Sequence, residues 1–91
     1  MSMATRIQEK LCAALSPQRL EIRDDSSKHE GHAGWRPGGG THFHVEIVSE
    51  AFSGKNRVER QRMVYALLKE EFAEGLHALQ LVTRTLAEEQ S

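Results

Sequence analysis

Thr41-His42-Phe43-His44-Val45-Glu46-Ile47-Val48-Ser49 alternates. Phe43, Val45 and Ile47 fall on one side, and His42, His44 and Glu46 on the other. This is the period-two pattern of a strand with one face in a core and a polar face open to water. Upstream, Gln18 to Asp24 repeats it, with Leu20 and Ile22 opposed to Glu21 and Arg23. Asp25 to Gly40, between the two, holds five glycines and a proline and has no apolar period, so it reads as a long exposed loop. Two strands joined in this way predict an antiparallel hairpin.

Further out the period changes. Met3, Ile7, Leu11 and Ala14/Leu15 recur at steps of three and four, predicting a first helix that Ser16-Pro17 ends. After a turn over Ser49 to Gly54, Asn56 and Glu59 form a capping-box pattern. A second helix is therefore expected from Arg57 to Ala73, with Val58, Val64/Tyr65, Leu68 and Phe72 inward and Gly75 as its stop. Leu76 to Arg84 alternates as a third strand, Leu79 and Leu81 inward, and Leu86 to Gln90 is left as a helical turn or a frayed end.

The order α-β-β-α-β(-α) gives one α+β domain over residues 1–91, a two-layer sandwich with a three-stranded mixed sheet. A right-handed strand–helix–strand crossover makes the second and third strands parallel neighbours. His77, at the start of the third strand, then lies at the same sheet end as Thr41, where the glycine-rich loop carrying His29 and His32 emerges.

Composition narrows the function. Twelve Lys and Arg against thirteen Asp and Glu give a net charge of −1, which argues against a dedicated nucleic-acid binder. The single cysteine, Cys12, forms no internal disulfide, fits a reducing cytosol and excludes a cysteine-only metal site; it reads as a small semi-buried hydrophobe. No apolar run reaches transmembrane length, and Arg6, Gln8, Glu9 and Lys10 interrupt any leader-like stretch, so a cytoplasmic protein is expected. The compositional excess is in histidine, five residues between His29 and His77.

Several smaller patterns resolve plainly. His42 and His44 read as polar outward residues of a half-exposed sheet. Gly31-His32-Ala33-Gly34 has the letters of a KH nucleic-acid loop but lies between strands, without the helical cradle. Trp35 reads as a loop residue folding back over the sheet edge. Lys55, Arg57, Arg60 and Arg62 put cations at a helix start, where the dipole disfavours them, which hints at a partner surface for acidic protein or phosphate. No nucleophile–base arrangement stands out, and no enzyme is expected.

Taken in order, Leu20-Glu21-Ile22, Asp25-Ser26 with His29, Thr41-His42-Phe43-His44-Val45, Val48 to Lys55, Arg60-Gln61-Arg62-Met63-Val64-Tyr65 and His77-Ala78-Leu79 resemble the BolA family from Ile7 to Thr85. The resemblance implies the BolA fold, similar to the type II KH arrangement. It departs at Gln61, where the family often has histidine, and after Thr85, where the family often has proline and then tryptophan. The second departure leaves the docking of the C-terminal segment open.

The resemblance also implies a function. Family members pair with monothiol glutaredoxins and share a 2Fe–2S cluster, with glutathione, through a C-terminal histidine matched here by His77. A loop residue is the second ligand. His29 fits the family spacing, and His32 competes through the reach its flanking glycines allow. No cluster is expected on the isolated chain, a monomer or weak dimer. The alternative implied by the resemblance is a DNA-binding transcriptional regulator acting through the basic second helix.

Overall fold

The computed structural model describes residues 2–25 and 42–90. The elements run α1 (Met3–Leu15), β1 (Arg19–Asp24), β2 (His42–Val48), a 3-10 turn (Glu50–Phe52), α2 (Arg57–Leu67), α3 (Lys69–Ala73), β3 (Ala78–Arg84) and α4 (Leu86–Glu89). The sheet order is β1-β2-β3. β1 pairs antiparallel with β2, Ile22 opposite Val45, and β2 pairs parallel with β3, Val45 opposite Leu81. The expected mixed sheet and hairpin are present.

The core forms where the two periodicities meet. Ile7, Leu11 and Leu15 of α1, with Val64 and Leu68, bury against Phe43, Val45 and Ile47, and Leu20, Ile22, Leu79 and Leu81 pack at the margin. Each fully buried aliphatic side chain contributes about 1.5–3 kcal/mol of transfer free energy. Ser49, fully buried at the end of β2, donates its hydroxyl to the Leu15 carbonyl at 2.6 Å and so satisfies an orphan group at the α1 C-terminus.

The helix signals act as read. Asn56 and Glu59 form a reciprocal capping box at α2. Leu76 donates its N–H to the Glu71 carbonyl at 2.9 Å across Gly75, whose φ of +133° lies where glycine is favoured.

Three expectations are corrected. The second helix is hitched at Leu68, whose N–H is shared between the Val64 and Tyr65 carbonyls, so it forms α2 and α3 and not one rod. Its buried stripe runs Arg60, Val64, Leu68, Glu71, while Val58 and Tyr65 are exposed. Six residues turn a helix by about 600°, so Val58 cannot share a face with Val64. The fully buried Glu71 meets Lys10 and Arg6 of α1, each at 2.8 Å. Burial pushes its carboxyl up, but the Lys10 hydrogen bond and both cations outweigh that, leaving it below the ordinary range. Finally, Cys12 is exposed and not semi-buried, because it follows Leu11 around α1 and leaves the buried stripe.

Candidate functional site

The turn from α3 into β3 fixes how His77 is presented. Leu76 is buried at 3% exposure and anchors the turn, and the next residue, His77, points out and is exposed. The His42 ring stands behind it, with centroids 5.2 Å apart and planes inclined by 53°. The register explains the meeting, since His42 pairs with Ala78 across the parallel ladder. His42 is only 5% exposed, although its strand parity predicts a water-facing residue. Strand parity gives the side on which His42 lies, and on that side the His77 ring packs against it.

Asp25 donates its N–H to the His42 carbonyl at 2.8 Å, and Arg23 holds the Asp25 carboxylate at 2.8 Å. Asp25 and His42, the described residues on either side of positions 26–41, are thus hydrogen-bonded to each other, with the His42 ring against His77. His29 and His32, the two candidate loop ligands, lie outside the described residues, as do Trp35 and the Gly31 to Gly34 stretch. On the other side of His77 a groove is lined by Tyr65, Phe72, Ala78 and Leu79. Tyr65 and Phe72 meet edge to face at 5.5 Å, and the Tyr65 hydroxyl donates to the Leu79 carbonyl at 3.4 Å. Among the described residues no group of three His, Cys, Asp or Glu side chains is placed to hold a metal ion.

The basic start of α2 divides. Lys55, Arg57 and Arg62 are exposed, with no carboxylate partner among the described residues. Arg60 is buried at 9% exposure. Its guanidinium meets both Glu88 carboxylate oxygens at 2.7 and 3.1 Å, donates to the Thr83 carbonyl at 3.3 Å, and lies over the Phe52 ring. The Arg60 hydrogen bonds, then the Thr85 N–H, hold the Glu88 carboxyl at about 2. Arg60 therefore belongs to the clasp of the C-terminal segment and not to a free basic surface.

That segment is docked without the family's proline and tryptophan. Thr85 and Glu88 make a second capping box, Leu86 donates its N–H to Glu50, and Glu89 accepts from Arg19 Nε at 3.0 Å. The Thr-x-x-Glu spacing was a legible signal for this helix, which sequence reading left as a turn or a frayed end. On the polar sheet face His44 lies between Glu46 at 3.2 Å and Gln80 at 3.4 Å. The His44 hydrogen bond, then Arg19, keeps the Glu46 carboxyl below its usual value.

Residues 11–88 match the family described as BolA-like protein. The chain is 50% identical over 90 residues to Protein BOLA1, chloroplastic, of Arabidopsis thaliana, covering 97% of this chain and 56% of that protein. It is 48% identical to SufE-like protein 1, chloroplastic/mitochondrial, of the same plant, covering 96% of this chain and 24% of that one. The solved BolA domain of SufE1 from that plant superposes with a TM-score of 0.88 at 48% identity, covering 97% of this chain and 96% of the domain. The DNA-binding transcriptional regulator BolA of Escherichia coli is 42% identical over 88 residues, covering 97% of this chain and 80% of the regulator. The chain thus spans about half the length of one plant relative and a quarter of the other.

Proposed function

The chain belongs to the BolA family, and from that premise we propose that it is a non-enzymatic iron–sulfur accessory protein of the cytoplasm. It pairs with a monothiol glutaredoxin and shares a 2Fe–2S cluster with that partner and its glutathione. The observation that carries the reading is the exposed His77 imidazole against His42, which is hydrogen-bonded to Asp25; the sequence between those two residues holds His29 and His32. His77 is one ligand and His29 the second, with His32 as its competitor.

The donor set suits such a group. Imidazole nitrogens replacing thiolates raise the potential of a 2Fe–2S centre and make its ligation sensitive to protonation. The described residues supply a single accessible nitrogen donor at this place, so the remaining ligands come from the loop and the partner. The chain's own part is to orient and present. Leu76 fixes the backbone before His77, His42 backs its ring, and the groove at Tyr65 and Phe72 gives the partner an apolar seat. No helix among the described residues is long and apolar enough to cross a membrane.

The test is to mix the protein with cluster-loaded monothiol glutaredoxin and follow visible absorption and circular dichroism. A new spectrum with the wild type, lost with His77→Ala, is the expected result. The second reading, a DNA-binding regulator, draws on the name of the Escherichia coli relative and on the free cations of α2. DNA binding with a steep salt dependence, and no spectral change on mixing, would favour it.

A further inference from the structure

β3 is an outer strand of the sheet. At its end the Arg84 carbonyl turns inward and accepts from the Ser49 N–H at 2.9 Å. Backbone polar groups alternate along a strand, so Leu79, Leu81 and Thr83 turn theirs to the open edge. Side chains of α2 reach two of these carbonyls, Tyr65 at Leu79 and Arg60 at Thr83. Between them, the Leu81 N–H and C=O have no partner among the described residues.

Exposed edges are usually blunted by a lysine, a proline or a bulge. Ala78-Leu79-Gln80-Leu81-Val82-Thr83 carries no proline and no charge before Arg84. A groove follows this edge. It takes in His44 and Gln80 from one sheet face, Leu79 and Leu81 from the other, and Arg57 and Tyr65 from α2 as its wall. At the Thr83 end it continues past Lys55 and Arg57.

The charges there are distinctive. Among the described residues Arg6, Lys10, Arg19, Arg23, Arg60 and Arg84 each have a carboxylate within 4 Å. Lys55, Arg57, Arg62 and Lys69 have none, and Lys55 and Arg57 line the groove. Glu88, at the same end, is already engaged by Arg60.

We infer that the open edge of β3 docks an extended acidic segment of a partner protein, which adds as a fourth strand and sets its carboxylates on Lys55 and Arg57. Main-chain hydrogen bonds to Leu81 hold the segment, and the two cations choose its charge and direction. A deoxyribose–phosphate chain would satisfy the cations, but its backbone offers acceptors only, whereas Leu81 presents a donor and an acceptor. The inference uses neither His77 nor the candidate loop ligands, although Tyr65 and Leu79 line both this groove and the one beside His77.

The probe is a capped heptapeptide of alternating valine and threonine ending in two glutamates, added to the isotope-labelled full chain. Shifts and slowed hydrogen exchange are expected at the Leu79, Leu81 and Thr83 amides. Affinity should fall about tenfold or more in the Lys55→Glu/Arg57→Glu double variant, the size of a lost charge pair. Leu81→Pro removes the central donor at an edge position where proline is tolerated, and should abolish binding. A peptide N-methylated at its edge-facing amides tests the same bond with the protein unchanged and should not bind. The inference is overturned if the glutamate peptide fails to bind at millimolar concentration or shifts residues away from the edge. Equal binding of a lysine-ended peptide or of the N-methylated one overturns it too. So does a short oligothymidine that perturbs the edge amides more tightly than the peptide, which assigns the edge to nucleic acid.

Discussion

At its C-terminal end β3 runs into Thr85, a capping box and a carboxylate gripped by Arg60; at its N-terminal end it starts from His77, exposed beside a covered His42. The first end has most of its polar groups answered from within the chain. Arg60 spans α2, the strand backbone and α4, and Glu50 and Arg19 reach the same short helix. The second end has a firm base and, among the described residues, an unanswered tip. Groups that serve the fold are paired internally, and groups left facing solvent at a rigid position are available to a partner. The comparison can be broken by experiments that ask whether the closed end carries stability and the open end does not.

The largest expected effect is at Arg60. Arg60→Ala removes the Glu88 pair, the bond to the Thr83 carbonyl and the contact with Phe52 together. A fully buried pair broken on one side costs about 3–5 kcal/mol, and because Glu88 is half-exposed the expected loss here is about 2 kcal/mol. Urea denaturation measures it, and an unchanged midpoint would deny that the C-terminal end is a clasp. His42→Ala comes next, at about 1–2 kcal/mol, from a buried ring lost without replacement.

Those two residues also show where sequence reading stops. The strands, the Asn56 cap and the Gly75 stop were legible because each depends on neighbours within a few positions. The parallel pairing followed from crossover handedness, which in turn foretold the His77 end. Arg60 was read as surface because charge is a poor guide to burial when the partner, Glu88, lies 28 residues away on a helix only four residues long. His42 was read as outward because alternation gives the face of a strand and not what covers it. Val58 was a phase error, apolar but off the stripe.

A smaller effect is set by acid. The Glu88 carboxyl titrates at about 2 in the folded chain against an ordinary 4.5. A depressed carboxyl stabilises the fold fully above its unfolded value and ceases to do so as pH falls through the folded one. The clasp should therefore weaken between about pH 4.5 and 2, and Glu88→Gln should flatten the stability profile in that window. Glu46 and Glu74 are lowered as well, by His44 and by Arg6, so the flattening should be partial. A profile unchanged by Glu88→Gln would place the acid sensitivity elsewhere.

The smallest effect on stability is expected at His77, and it is the sharpest test of the open end. An exposed ring anchors little, so His77→Ala should alter unfolding free energy by no more than about 0.5 kcal/mol. Under the proposed function the same substitution removes a cluster ligand, and the spectrum formed with loaded glutaredoxin should disappear. His42→Ala should do the reverse, lowering stability while keeping a weakened form of that spectrum, because His42 positions the ring and does not ligate. The loop ligand is then resolved by His29→Ala and His32→Ala: the first should change the circular dichroism strongly and the second should leave it nearly intact. Binding of the cluster-free glutaredoxin should survive all four substitutions, since surface contacts hold the pair. If His77→Ala destabilises the fold as much as His42→Ala, the two imidazoles form one structural unit, and the distinction between a closed and an open end of β3 fails at the residue on which it rests.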